Sequence, residues 1–321
     1  MNKTAVVILN WNGKKLLEKF IPSVVKHTKN AEIWVIDNAS TDDSLQFLQA
    51  NYPEIKQVRL DKNYGFAGGY NKGLKSIVAD NYVLLNSDVE VTENWLEPLI
   101  NALDNDTQTA VVQPKIKDYK NKRMFEYAGA AGGFLDFFGY PYCDGRILFS
   151  VAEDTGQYEK EKEIFWASGA CFAVKKDIFE QMKGFDESYF AHQEEIDLCW
   201  RIKNNGYKIK YIPSSTVYHL GGASLDTQSP FKTYLNFRNN LMTLLKNLPK
   251  TYIFPVIFIR LILDGLAGIV FVFQGKPRHT WAVIKAHFGF YKRIPSIWKK
   301  RQKNHLSKYY NRFLIFFTIV R

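Results

Sequence analysis

Cysteine is scarce in this chain, with three residues in 321: Cys143, Cys171 and Cys199. They show no metal-ligand spacing and cannot all pair, which excludes a disulfide scaffold and points to free thiols in a reducing compartment. The start of the chain has too short an apolar run for a signal peptide and no small-residue cleavage site, so the catalytic part is expected in the cytosol. Internal repeats and low-complexity tracts are missing too. Acid is nearly missing from one region: residues 231–321 hold 17 Lys and Arg but a single acid, Asp264, whereas residues 1–230 hold 26 bases and 31 acids. That asymmetry separates a front resembling a soluble enzyme from a back suited to a polyanionic surface. With hydrophobic residues at 46% and charged residues at 23%, wholesale disorder is excluded.

The first 110 residues alternate strand and helix patterns. Residues 4–9, 32–36, 57–60 and 81–85 read as strands, and residues 13–26, 44–52 and 69–79 as helices. Fully apolar strands between helices imply a parallel sheet covered on both faces, with ligands beyond the carboxyl ends of its strands. Residues 111–230 are less regular. A strand at 110–113 leads to glycines at 129–133 and to a polar stretch, 143–162, with the character of a mobile loop. A strand at 165–174 is interrupted by Ser168-Gly169; a helix at 195–205, a strand at 208–212 and a turn at 213–215 follow. The reading is therefore a catalytic domain, 1–230, with halves 1–110 and 111–230, followed by a basic helical region, 231–321.

Four separated polar clusters carry candidate chemistry, those of the first 110 residues at the carboxyl ends of strands. Asp37 closes the second strand, where a carboxylate can accept the imide N–H of a pyrimidine or simply form an Asx-turn. Residues 63–71, with Asn63, Gly65, Gly68 and Asn71, form a glycine-rich loop opening a helix, suited to a diphosphate or to a tight turn. Asn86-Ser87-Asp88 follows the fourth strand, where an acid can hold Mg2+ or Mn2+ through oxygen or merely end a strand. Glu194-Glu195-Ile196-Asp197 begins a helix: it offers a base for a sugar hydroxyl, a cap, and an Asp197–Arg201 pair at i,i+4. His219 follows a strand and turn, beside Gly221-Gly222.

In order and spacing these blocks resemble the family 2 glycosyltransferases, especially bacterial rhamnosyltransferase-like members that build cell-surface polysaccharide. The matching text is Val7-Ile8-Leu9-Asn10-Trp11-Asn12-Gly13, Asp37-Asn38-Ala39-Ser40-Thr41-Asp42, the 63–71 loop, Leu84-Leu85-Asn86-Ser87-Asp88-Val89, Trp166-Ala167-Ser168-Gly169-Ala170, Gly184-Phe185-Asp186-Glu187, Glu194-Glu195-Ile196-Asp197-Leu198-Cys199-Trp200-Arg201 and Tyr218-His219-Leu220-Gly221-Gly222. It covers about residues 4–225.

The resemblance implies a GT-A fold: α/β, with a Rossmann-like, mostly parallel sheet, helices on both faces and a C-terminal basic helical extension. It implies an inverting, metal-dependent hexosyl transfer from a UDP- or dTDP-sugar to a hydroxyl of a glycan or lipid-linked glycan. Asp37 would hold the base, framed by the backbone around Asn10 and Asn12, and the 63–71 loop would line the donor pocket. Asp88 matches the last acid of the D-x-D motif, whose first acid is replaced by Asn86, and His219 matches a histidine completing the metal shell. Glu195 matches the catalytic base, supported by Glu194, while Trp166 and Gly169 would line the acceptor side.

Other readings fit less well. A nucleotidyltransferase would carry a phosphate loop after the first strand, where Asn10-Trp11-Asn12-Gly13 stands. A non-catalytic sugar-nucleotide binder or scaffold has no use for Glu195 and Asp88 together. The basic tail is rich in apolar residues, which suit lipid better than nucleic acid, so no nucleic-acid partner is expected. An in-plane amphipathic helix over 252–273 is expected to lie on an anionic membrane surface at the cytoplasmic face. In it Arg260 reaches toward headgroups and Ile257, Phe258, Leu261 and Ile262 face acyl chains. Core helices packed on the catalytic domain with a solvated basic face, and a single membrane span, are the alternatives.

Overall fold

Four apolar runs at the start of the chain become half of one large sheet. A computed structural model describes residues 2–127, 129–147, 150–221, 229–303 and 305–311; Gly222 and part of the expected domain boundary lie outside them. In chain order come β1 (Thr4–Asn10), α1 (Lys14–His27), β2 (Glu32–Asp37), α2 (Ser44–Asn51), β3 (Lys56–Arg59), α3 (Gly65–Gly73) and β4 (Asn81–Asn86). β1 runs parallel to both β2 and β4, and β2 parallel to β3. Val6 and Ile8 point into one apolar cluster and Ala5 and Val7 into another, which explains why β1 is apolar at successive positions.

The second half adds β5 (Val89–Val91), α4 (Glu97–Asp104) and β6 (Thr109–Asp118). Then follow β7 (Gly133–Leu135), β8 (Pro141–Cys143), β9 (Arg146–Ile147), β10 (Ser150–Val151), β11 (Lys162–Glu163), β12 (Cys171–Lys175), α5 (Lys176–Gln181), α6 (Glu194–Asn204) and β13 (Lys208–His219). The main sheet has nine strands in the order β11-β13-β6-β12-β4-β1-β2-β3, with β5 paired to β13. β12 is antiparallel to both neighbours, β4 and β6, so the sheet is mixed at that point.

Three expectations change here. The stretch expected to be a mobile loop begins in a small antiparallel sheet, β7 to β10, which takes in Cys143, 146–147 and 150–151, and its irregular remainder is tethered by Lys162–Asp144 (2.6 Å) and by Lys117–Asp154 (2.9 Å). Residues 213–215 are no terminating turn: β13 continues through them, with an irregular register between Ile212 and Thr216, and thereby delivers His219 to the site. α3 starts at Gly65, four residues before the expected start. Gly69 and Gly73 pack on the sheet: a Cβ at Gly69 would meet Leu9 at 2.8 Å and one at Gly73 would come within 2.4 Å of Ile36.

Beyond residue 229 come α7 (Pro230–Asn247), α8 (Lys250–Phe273), α9 (Pro277–Tyr291) and α10 (Ile294–Lys299). α7 is fused to the catalytic domain. Lys246 Nζ reaches Asp186 (2.8 Å) and Asp197 (2.9 Å), and Asn247 Nδ2 donates to Asp197 Oδ1 (2.8 Å). The expected Asp197–Arg201 pair forms at 2.8 Å inside the same network.

α8 is the opposite of the expected amphipathic helix. Arg260 (2% exposed) and Asp264 (0%) face the protein: Arg260 pairs with Asp264 (3.3 Å), donates to Phe138 O (2.9 Å) and lies over the Tyr140 ring. Ile257 and Leu261 also pack inward, whereas Phe254, Phe258, Ile262, Leu266, Ile269 and Phe273 face outward. The desolvation cost of the two charges is met by pairing inside the protein rather than by reaching headgroups. Lys250–Phe273 is long and apolar enough to cross a membrane by length and composition alone, but its polar face is already committed to the protein.

Candidate active site

β1 and β2 end side by side, so Asn10 and Asp37 are register partners. Asn10 Nδ2 donates to Asp37 Oδ1 (3.1 Å) and to Ser40 Oγ (3.1 Å), and the Ser40 N–H donates to Asp37 Oδ2 (3.0 Å). Asn12, in the left-handed region, accepts at Oδ1 from the Thr41 N–H (2.7 Å). The two loops are thereby laced into one polar floor. Each Asp37 oxygen keeps a lone pair for a further donor, and Asn10 Oδ1 is buried with no partner among the described residues.

The glycine-rich loop closes against this floor. Asn63 Oδ1 accepts from Asn38 Nδ2 (3.0 Å) and from the Gly65 N–H (2.8 Å). Gly65 has φ +71°, and a Cβ there would meet Phe190 O at 2.8 Å, so only glycine fits. Gly68 packs on Tyr64. Asn71, expected at the donor pocket, is turned elsewhere: Nδ2 donates to Phe185 O (2.8 Å) and Oδ1 accepts from the Phe185 N–H (2.9 Å). It braces the turn after α5.

Asp88 and His219 meet because β4 and β13 end at the same edge. Their Oδ1 and Nε2 atoms are 3.1 Å apart, and His219 Nδ1 lies 3.3 Å from Glu126 Oε1. Burial works against a charged His219, yet Asp88 and Glu126 outweigh it and push the imidazolium up to about 10. Among the described residues no group of three or more His, Cys, Asp and Glu is gathered to hold a metal ion. The pair nonetheless fits an ion that takes most of its ligands from substrate: two neighbouring octahedral ligands at roughly 2.1 Å stand about 3 Å apart. Glu126 behind the imidazole has the place of the carboxylate that orients a ligating histidine. No sequence pattern singled it out, since it sits in an irregular stretch. Asn86 donates its N–H to Ala170 O (2.9 Å), joining β4 to the segment that carries Gly169.

Glu195 stands opposite. A Cβ at Gly169 would lie 4.0 Å from its carboxyl carbon, so the bare glycine leaves room in front of that carboxyl. Glu195 is half-buried with Oε2 unpartnered, and burial pushes it up to about 7 although main-chain N–H groups at the start of α6 favour the anion. Glu194 is buried and raised well above the ordinary range, first by burial and then by Glu195. It and Trp166 were expected on the acceptor side. Both are instead enclosed: Trp166 is 3% exposed, with its indole N–H given to Phe134 O (2.9 Å). Of that trio only Gly169 faces Glu195.

The turn before α6 is backbone-strained, with positive φ at Phe190 (69°), His192 (67°) and Gln193 (74°). Asn239 on α7 holds it, donating Nδ2 to Tyr189 O (3.1 Å), Ala191 O (2.9 Å) and His192 O (2.8 Å). Sequence reading missed this residue because nothing local links position 239 to position 192. A separate cleft of about 730 Å³, lined by Lys3, Asp80, Asn81 and Lys175, lies at the amino ends of β1 and β4 and shares none of these groups.

A polar crevice at the carboxyl ends of β1, β2 and β4, facing a helix-borne carboxylate across an α/β sheet, defines a glycosyltransferase of the GT-A fold. The sequence profile of Glycosyl transferase family 2 matches residues 5–183, and the chain belongs to that family. It is similar to an N-acetylglucosaminyl-diphospho-decaprenol L-rhamnosyltransferase of Mycobacterium tuberculosis, 25% identical over 67% of this chain and 75% of that one. In structure it is similar to TarS 1-349 of S. aureus (17% identity, 93% of this chain and 83% of that chain, TM-score 0.58). It is similar as well to GalNAc-T7, solved with UDP, GalNAc and Mn2+ (20% identity, TM-score 0.59, 78% of this chain but about half, 49%, of that one).

Proposed function

We propose that this chain transfers a hexose from a UDP- or dTDP-sugar, with inversion, to a hydroxyl of a glycan or lipid-linked glycan at the cytoplasmic face of a membrane. The observation that carries the reading is Glu195: a carboxyl near pKa 7, open toward Gly169 and joined through Ala170 to the β4 end that bears Asp88. Asp37 and Asn10 hold the pyrimidine, and the floor formed with Asn12 and Ser40 orients the ribose. Asp88 and His219 would hold Mg2+ or Mn2+, the imidazolium giving up its proton as the cation takes its place between the two side chains; the Mn2+ in the GalNAc-T7 structure supports this reading. A divalent cation bound there offsets charge on the leaving nucleoside diphosphate. Glu195 takes the acceptor proton as the hydroxyl oxygen attacks the anomeric carbon. One displacement inverts that carbon, and no protein nucleophile is required. The outward apolar face of α8 and the surplus of Lys and Arg around it support an enzyme seated on an anionic bilayer, where a lipid-linked acceptor would be presented.

A screen of UDP- and dTDP-sugars with purified full-length protein and Mg2+ or Mn2+ tests this. Donor turnover should vanish in excess chelator and in Asp88→Ala, and weaken in His219→Ala. Full activity in chelator removes the metal role, and a product of retained configuration removes the single displacement.

A further inference from the structure

We propose that the groove between α7 and α9 binds the prenyl-diphosphate portion of a lipid-linked acceptor. The inference rests on the acceptor class named above. The groove has a volume of about 650 Å³ and is walled by Phe231 and Tyr234 of α7 and by Trp281 and Ala282 of α9. That is room for one small ligand, hence for a diphosphate and the first isoprene units, with the rest of the lipid outside.

Three features select this occupant. Arg278, Trp281 and Lys285 follow one another at i, i+3 and i+7 on α9, so two cations flank an indole on one helix face. Lys285 Nζ lies 5.6 Å from the Trp281 ring, and neither cation has an ion-pair partner among the described residues. Asp264, the single acid in residues 231–321, is committed to Arg260. Two unpaired cations beside an aromatic wall complement a diphosphate joined to an unsaturated hydrocarbon.

The second feature is continuity with the apolar outer surface. Trp281 is 56% exposed and begins a stripe on α9 that runs through Ile284 and Phe288, next to α8. A lipid can enter from that side without leaving an apolar environment.

The third is direction. The Phe231 ring stacks on Tyr234 (6.1 Å between centroids) and meets Phe190 edge-on (6.4 Å). The Phe190 carbonyl accepts from the Phe66 N–H (3.1 Å), and its ring abuts Gly65 of the donor loop. Phe190 is also four residues ahead of Glu194. The aromatic track therefore leads from the outer surface to the donor loop and the base. A site for anionic headgroups alone would need no such path.

The test uses the full-length protein in detergent micelles with EDTA and farnesyl diphosphate as the probe, followed by titration calorimetry. Farnesyl diphosphate should bind about tenfold or more tighter than farnesol or inorganic diphosphate. The double variant Arg278→Glu/Lys285→Glu should weaken it by roughly tenfold or more, and Trp281→Ala by roughly fivefold or more. Binding of UDP with Mn2+, measured without EDTA, should be unchanged in both variants.

Wild-type affinity for farnesyl diphosphate in the double variant would overturn the proposal. So would inorganic diphosphate binding as tightly as farnesyl diphosphate, and so would a double variant that loses binding to phosphatidylglycerol vesicles while keeping the probe. Donor turnover is read separately. Probe binding without turnover of any sugar nucleotide sinks the transferase reading and leaves the groove standing, and turnover with no probe binding does the reverse.

Discussion

Glu195 combines a buried carboxylate oxygen that has no hydrogen-bond partner among the described residues with a pKa raised by that burial to about 7, so it is basic enough to accept a proton near neutrality. Glu195→Gln keeps its shape and removes the acceptor, so turnover should fall by roughly 10²–10⁴ with donor binding intact. If Glu194→Gln is the inactive variant and Glu195→Gln nearly normal, the base is the wrong one of the two. The pH profile of the wild type should rise through about 7, since only the anion is a base. Stability has the opposite sign. Between the ordinary value of 4.5 and about 7 the folded state holds a proton that the unfolded chain has lost, so this group's contribution falls as pH rises through that window. Glu195→Gln should therefore melt roughly 2–4 °C above wild type at pH 8, with the difference gone below pH 4.5; an unchanged melting temperature at pH 8 would refute the raised value. At this scale the sequence reveals residues whose neighbours in the chain explain them. Asp88, Asp37 and Glu195 sit at ends of periodic segments. Glu126 and Asn239 act only across the fold, and no local pattern marks them.

Among the elements, α7 decides whether α6 begins in the right place. Three carbonyls of the turn, those of Tyr189, Ala191 and His192, converge on the Asn239 amide, and Arg238 adds a bond to Tyr189 O (3.0 Å). Asn239→Leu removes all three hydrogen bonds without changing side-chain size much. The turn should relax, lowering kcat while leaving KM for donor nearly unchanged and moving the pH limb set by Glu195. A purely structural role would lower the melting temperature and leave that limb in place. The strands and helices of residues 4–86 were legible because both-face burial imposes an apolar run and each break carries a turn residue. The small sheet β7–β10 was not, since strands of two or three residues show no period. β13 was cut short in the reading because Pro213-Ser214-Ser215 has turn chemistry, while pairing with β6 carries the strand through it.

The whole molecule presents apolar surface where a soluble protein would carry charge. Phe254, Phe258, Ile262, Leu266, Ile269 and Phe273 line the outer side of α8, with Phe258 55% exposed and Phe273 88%. Full-length protein should bind vesicles containing anionic lipid. Phe258→Glu/Ile262→Glu should abolish that binding while leaving the protein folded, because both positions are already exposed. Wild-type binding by this variant would show that another surface docks. Alkaline carbonate should release the protein from membranes, as the buried Arg260–Asp264 pair holds α8 to the protein body; resistance would mean a true span. The sequence of residues 231–321 made a long apolar helix legible but not its rotation, because burial of a paired charge cannot be told from exposure of a single one without the fold.

Asn239 and Asn240 are consecutive on α7. The first grips the turn in front of Glu195, and the second accepts from Arg260 of α8 and donates to Gly139 O (2.9 Å). Between the outward apolar face of α8 and the Glu195 carboxylate there is thus, among the described residues, one helix bonded at both contacts. A tower crane with a fixed boom has the same property: it serves every load at one radius and none at another. On a flat bilayer the catalytic carboxylate would sweep a plane at constant altitude, and acceptors would be sorted by how far their free hydroxyl stands from the lipid.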